Sequence, residues 1–206
     1  MGILTADISV SLDGFISGPN DRPGNGLGDG GERLHEWGYG LKSWRERHGK
    51  EGGETGRDSE VLEEAFATTG AVVLGKRMYD NAEGWGDEPP FGMPVFVLTQ
   101  EAREEEVKGE TAFTFVTDGI ESAYDQARAA AGDRDISIAG GASTIQQFLK
   151  AGLLDEVQIH LAPVLLGGGV RLFDQLGDDR PDLELTRVIE SPAVTHLKYS
   201  VTKERS

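Results

Sequence analysis

The sequence predicts an α/β fold, a mostly parallel central sheet with an antiparallel hairpin toward the C-terminus. Two observations carry this expectation. From residue 58 to residue 150, short apolar or β-branched runs alternate with segments of helical period, as in strands joined by crossover helices. Beyond residue 156 only period-two alternation remains, which suits consecutive antiparallel strands. The 206 residues are read as one domain over residues 1–206.

Ile3 to Leu12 mixes β-branched and apolar residues and reads as the first strand. Residues 18–60 then hold 12 of the 29 glycines together with Pro19 and Pro23. That stretch has too little apolar surface to offset its ordering entropy as a second domain, so it reads as a long loop insertion. Within it Leu34, Trp37, Leu41 and Trp44 recur at helical spacing and predict a short amphipathic helix. Loops of this length are commonly lids or partner surfaces. Asp58 or Ser59 can cap a helix running to about Thr68 and closed by Gly70. Ala71 to Leu74 is a buried strand, and Lys76 to Asn81 opens a helix. Pro94 to Leu98 is a strand, Glu101 to Glu110 an acidic solvated run, and Thr111 to Val116 another strand. Ile120, Ala123, Tyr124 and Ala127 mark a helix ending at Gly132. A strand at Ile136–Ala139 and a helix at Ser143–Lys150 follow. Val157, Ile159 and Leu161 alternate, as do Leu183 with Leu185, and Leu197, Tyr199 and Val201.

Thirty-six acidic against 20 basic residues leave a net charge of −16, a field that repels nucleic acid and anionic membranes. With no cysteine, disulfides, thiol catalysis and iron–sulfur chemistry are excluded. No stretch reaches the ~20 apolar residues that cross a bilayer, and Met1 to Asp7 shows no basic start leading into an apolar run. A cytoplasmic protein without membrane or nucleic-acid partners is expected. His35, His48, His160 and His196 show no ligand spacing, so ordinary surface or hydrogen-bonding roles and no metal are expected of them.

Several motifs fail on inspection. Gly70 to Arg77 matches much of a phosphate-binding loop, but its intervening residues form a strand and Arg77 stands where a hydroxyl should hold magnesium. Gly24-Asn-Gly-Leu-Gly28 neither follows a strand directly nor opens an apolar helix. Two strand-to-helix junctions hold better. At the first, Gly75 ends a buried strand and Lys76 and Arg77 sit where a helix begins, a position whose free amides and dipole favour an anion. At the second, Gly140 and Gly141 let backbone approach a ligand closely, and Ser143 and Thr144 can donate to oxygens. Two such sites at strand carboxyl ends suit a ligand with phosphates in two places, such as a dinucleotide. The plainer alternative is that these glycines serve only to turn the chain.

Ser11-Leu-Asp-Gly-Phe-Ile-Ser17, Leu74-Gly-Lys-Arg-Met-Tyr79, Val97-Leu-Thr99, Ala139-Gly-Gly-Ala-Ser143 and Ala162-Pro-Val-Leu-Leu-Gly-Gly-Gly169 occur in this order. Together they resemble the dihydrofolate reductase-like superfamily, and within it the reductase domain of the bifunctional riboflavin-biosynthesis deaminase–reductase. The resemblance implies a three-layer sandwich around about eight strands, binding NADPH across the carboxyl edge of the sheet. Gly75, Lys76 and Arg77 would then face the adenosine and pyrophosphate phosphates, with Lys76 or Arg77 and Thr99 reading the 2′-phosphate. Gly140, Gly141, Ala142, Ser143 and Thr144 would face the pyrophosphate, and Ser9 and Ile16 the nicotinamide carboxamide. The family often has threonine where Met78 stands. Its acidic proton donor lies on a helix after the first loop, which does not align here, so Glu32, His35 and Glu36 are candidates by location, beside ordinary solvated-helix roles. Asp13 is a further candidate, although an Asp-Gly pair also serves to cap a turn. Trp37, Trp44 and Trp85 could stack on a planar ligand or pack in the core.

The expected activity is NADPH-dependent reduction of a small pyrimidine- or pterin-like heterocycle, similar to 5-amino-6-(5-phosphoribosylamino)uracil reductase. The alternative is a binding protein that holds a nucleotide or heterocycle without turnover. Family resemblance also implies a homodimer.

Overall fold

The computed structural model describes residues 2–177 and 181–202, so the domain expected over residues 1–206 runs past the described residues at both ends. The first half contains β1 (Leu4–Ser11), β2 (Phe15–Ser17), α1 (Glu36–Tyr39), α2 (Lys42–Arg47), α3 (Arg57–Thr68), β3 (Thr69–Gly75), α4 (Lys76–Asn81) and β4 (Pro94–Leu98). Then come β5 (Glu106–Lys108), β6 (Thr111–Val116), α5 (Ile120–Ala131), β7 (Asp135–Gly140) and α6 (Ala142–Lys150). The last third supplies β8 (Glu156–Ala162), β9 (Val170–Arg171), β10 (Leu183–Glu190) and β11 (Thr195–Val201).

Nine strands form one sheet in the order β10-β11-β8-β1-β7-β3-β4-β6-β5, and β2 pairs separately with β9. The six strands from β8 to β6 run parallel, with the antiparallel β10–β11 hairpin on one edge and antiparallel β5 on the other. Parallel strands need covered faces, and β3 shows why its run is apolar throughout. Ala71 and Val73 pack on one face, against α5 and α6, while Val72 and Leu74 pack on the other with Tyr79, Met93 and Phe113. Phe148 of α6 is fully buried in the first of these cores, where truncation to alanine costs ~3–5 kcal/mol.

Three local expectations change. The acidic run Glu101–Glu110 is not wholly solvated loop, because Glu106–Lys108 forms β5; an edge strand pairs on one side only and tolerates charge. Gly70 does not close α3 but lies within β3, where a Cβ would come within 2.8 Å of Arg134 Cβ. The amphipathic helix through Leu34, Trp37, Leu41 and Trp44 is broken into a 3-10 turn (Gly31–Leu34), α1 and α2, with breaks at His35 and at Gly40–Leu41. Leu34 and Leu41 nevertheless point into the protein and are buried.

Candidate functional site

Because β7, β3 and β4 are parallel neighbours, their carboxyl ends open side by side. Leu74 pairs with Gly140 and Gly75 with Leu98, which brings the 75–77 and 140–144 junctions together with Thr99 at one rim. The approach is close: a Cβ on Gly75 would lie 2.6 Å from Thr144 Oγ1. Gly140 adopts φ 142°, a region that favours glycine, and a Cβ there would lie 3.0 Å from Met78 Sδ. Met78 thus offers a thioether packed under Gly140. A Cβ on Gly141 would meet nothing within 4 Å, so this backbone borders open space.

That space is a cleft of about 1520 Å³. Ile16, Gly75, Lys76, Arg77, Thr99, Gly140, Gly141, Ala142, Ser143 and Thr144 all line it. Ser9 does not; it is buried and accepts a hydrogen bond from Trp37 Nε1 at 3.2 Å. Lys76 is paired with Asp80 and Glu101, and the Asp80 bond holds its ammonium above the usual lysine range. Arg77 reaches Asp21 of the 18–60 segment, and Asp21 also accepts from Asn81 Nδ2 at 3.1 Å. The segment is therefore stitched to the cation pair at the cleft mouth.

Another part of the lining is built from side chains. Asp7, Glu32, His35, Tyr39 and Trp44 line it, together with Leu62 and Phe66 of α3. Burial above all holds the His35 imidazole down to about 4, with nearby His160 adding to this and Glu32 opposing it. His35 is accordingly neutral at neutral pH and is no acid there. Glu32 accepts a 2.7 Å hydrogen bond from Tyr39 Oη, and burial followed by this bond pushes the phenol well above its ordinary range. Glu36 is exposed and lies outside the lining.

Asp13 sits outside the cleft lining and performs a turn role. Its Oδ1 accepts from Ser11 Oγ at 2.6 Å, and its carboxylate accepts from the Leu166 and Gly167 amides at 3.2 and 2.7 Å. These bonds, the Ser11 hydroxyl first, hold it at about 2. Of the tryptophans, Trp85 packs against Phe91, Phe113 and Tyr79, and Trp44 stacks on His48 with ring centroids 3.7 Å apart.

Of the surface and hydrogen-bonding roles expected, His160 and His196 take the second, in the interior. They are only 3% and 1% exposed, and they stand opposite each other on β8 and β11 with their Nδ1 atoms 2.6 Å apart. His160 Nε2 meets Asp7 Oδ1 at 2.6 Å, and His196 Nε2 meets Asp58 Oδ1 at 3.1 Å. Ligand-spacing arguments miss this set. The available signal was a period-two row of polar residues on each of three adjacent strands, with Asp7, His160 and His196 among them.

Comparison with known proteins gives a consistent picture. The family model described as RibD C-terminal domain matches residues 3–197. YwjB of Bacillus subtilis, a protein of uncharacterised function, is 27% identical over 55% of this chain and 64% of its own length. YyaP of the same organism, likewise uncharacterised, is 28% identical over 82% of this chain and 79% of its length. The crystal structure of a protein assigned to riboflavin biosynthesis from Shewanella sp. PV-4 matches with TM-score 0.69 at 23% identity, covering 98% of this chain and 99% of that one. Dihydrofolate reductase from Enterococcus faecalis, solved with NADP(H), matches with TM-score 0.57 at 14% identity, over 97% and 96% of the two chains. The diaminohydroxyphosphoribosylaminopyrimidine deaminase/5-amino-6-(5-phosphoribosylamino)uracil reductase of Thermotoga maritima matches with TM-score 0.58 at 13% identity, over 98% of this chain and 57% of that one. At these identities the structural likeness shows the fold, which is dihydrofolate reductase-like.

Proposed function

The chain belongs to the RibD C-terminal domain family, and from that premise we propose that it is an NADPH-dependent reductase of a small planar heterocycle of the pyrimidine or pterin class. One observation carries the reading: two glycine junctions, with Lys76, Arg77, Thr99, Ser143 and Thr144, converge on one cleft that ionisable and aromatic side chains also line. The residues suit a dinucleotide. Gly141 presents bare backbone to open space, and hydroxyl and cationic donors flank it.

In this reading Gly140 to Thr144 hold the pyrophosphate, and Lys76, Arg77 and Thr99 hold the adenosine phosphate. Bound NADPH supplies a hydride. The chain supplies position and desolvation, with Ile16 and Met78 flooring the cleft and Tyr39 and Trp44 bordering the space for a flat ring. Arg77 must exchange its Asp21 partner for phosphate, which links cofactor binding to the position of the 18–60 segment.

Titration with NADPH and NADH, followed by absorbance assays of NADPH oxidation across a panel of ribosylaminopyrimidines and dihydropterins, tests the reading. Micromolar NADPH binding with turnover of at least one heterocycle is expected. Binding without oxidation of any would favour the binding protein without turnover, and no binding would overturn the proposal. We also propose that the homodimer forms through β10, an outermost strand whose Leu183, Leu185 and Val188 are 41%, 51% and 52% exposed. Leu185→Lys should then shift the sedimentation coefficient from dimer to monomer.

A further inference from the structure

The cleft lining includes Asp7, one end of a row of four ionisable groups that the reductase reading leaves without a task. Asp7 on β1, His160 on β8, His196 on β11 and Asp58 on α3 are joined end to end by contacts of 2.6, 2.6 and 3.1 Å. Strand register sets most of this. Ser9 is paired with His160 and His160 with His196, so Asp7, Ser9 and both histidines share one sheet face. Trp37 covers the row, its ring 4.8 Å from the His160 ring and 5.1 Å from the His196 ring, and it is pinned by the bond to Ser9.

The two ends open in different places. Asp7 lines the main cleft, while Asp58 lines a second depression of about 340 Å³ formed with Leu41, Gly56 and Ser191. Between these openings the two imidazoles are almost wholly buried. The other ionisable groups around the row are His35 and Glu32 on the covering segment, and Lys198 of β11, which is paired with Glu64 and Glu156.

Counting protons gives the row its chemistry. Three hydrogen bonds need three protons, and two neutral imidazoles carry only two. The fully bonded row therefore holds one more, as a carboxylic acid at one end or an imidazolium between. We propose that Asp7 is the acid that protonates the substrate of the reductase proposed above, and that His160, His196 and Asp58 share its proton and link it to solvent at the far opening. The proposal rests on the reductase reading.

The step balances simply. With a hydride supplied by bound nicotinamide to a C=N or C=O carbon of the substrate, the π pair would move to the nitrogen or oxygen, and that atom would take the proton from the Asp7 carboxyl. The row is left one proton short, and water at the Asp58 opening restores it. Burial and the neighbouring His160 lower the affinity of His196 for a second proton, which displaces the shared proton from the His196 ring toward the rest of the row.

The test has two readouts. In protein labelled with ¹⁵N-histidine, Asp7→Asn should move the His196 ring nitrogen signals and their pH response, although the row places His160 between these residues. On whichever panel heterocycle is reduced, Asp7→Asn should lower kcat by about 10²- to 10⁴-fold with the NADPH Kd unchanged. Asp58→Asn should move the alkaline limb of the kcat–pH profile to lower pH. Unchanged His196 signals in Asp7→Asn overturn the shared proton, even in an active enzyme. A wild-type kcat and pH profile in Asp7→Asn overturns its role as acid. Failure of every heterocycle to be reduced, with the His196 response present, overturns the reductase reading and the acid role while the shared proton stands.

Discussion

One part of the cleft lining is main chain, at Gly75 and Gly140–Gly141, whereas another is side chains of Asp7, Glu32, His35 and Tyr39. Main chain there leaves room for a large charged ligand and recognises what is common to many, such as phosphate oxygens. Side chains in the other part can be protonated, moved or exchanged, so chemistry and substrate choice fall to them. The glycine wall should fail when atoms are added, and the side-chain wall when atoms are removed or charges changed.

The sharpest way to break that contrast is Gly141→Val. Its side chain would project into open space and hold a phosphate away from the amides and hydroxyls around it. A folded variant should therefore lose NADPH binding by about 100-fold or more by titration calorimetry, the equivalent of two or more charge-assisted hydrogen bonds. Unchanged affinity would remove this junction from the site. Gly75→Ala tests the packing half of the same wall. With Thr144 Oγ1 only 2.6 Å from the added carbon, a loss of about 1–3 kcal/mol in denaturant unfolding is expected from overpacking. Arg77→Ala removes atoms from the rim and should cut affinity for NADPH about tenfold more than for NADH, since only the former has the extra phosphate. Equal losses would place that phosphate elsewhere.

The smallest effect concerns the side-chain wall. His35 binds a proton less readily in the fold than in the unfolded chain, with values of about 4 against 6.5. The unfolded state therefore takes up more protons as acidity rises. The His35 contribution to stability is complete above pH 6.5 and is lost as pH falls through about 4. His35→Gln should flatten the decline in urea midpoint across that window, and an unchanged slope would show that His35 is solvated.

The glycine wall was legible because its residues are contiguous. Gly75-Lys-Arg77 and Gly140-Gly-Ala-Ser-Thr144 each sit on one strand-to-helix turn, and local rules about turns, dipoles and hydroxyl donors suffice to find them. Most strands were legible too, since β3 and β4 carry short uninterrupted apolar runs, while β6 and β7 place buried residues at every second position of their first halves. The side-chain wall was not, because Asp7 and His160 lie 153 residues apart, and Asp58 and His196 lie 138 apart. Nothing local marks such a pair; only strand order and register bring them together. Short β5 escaped for another reason, as three residues in a charged run carry too little periodicity to stand out. The Asp13 turn shows the converse case, in which a sequence cue for capping was sound and its catalytic alternative found no support in the geometry.

The placement of β1 at the middle of the sheet also bears on how the protein is made. Its neighbours β7 and β8 are encoded more than a hundred residues later, so a ribosome releases the first strand long before anything exists to pair with it. Glycine-rich and acidic sequence emerges next, which keeps the waiting strand soluble and poor in wrong partners. Since β11 follows the other strands of the sheet, the contact between His196 and Asp58 closes only after they have all been made, and a nascent chain halted after α6 would carry both glycine junctions but neither histidine of the buried row.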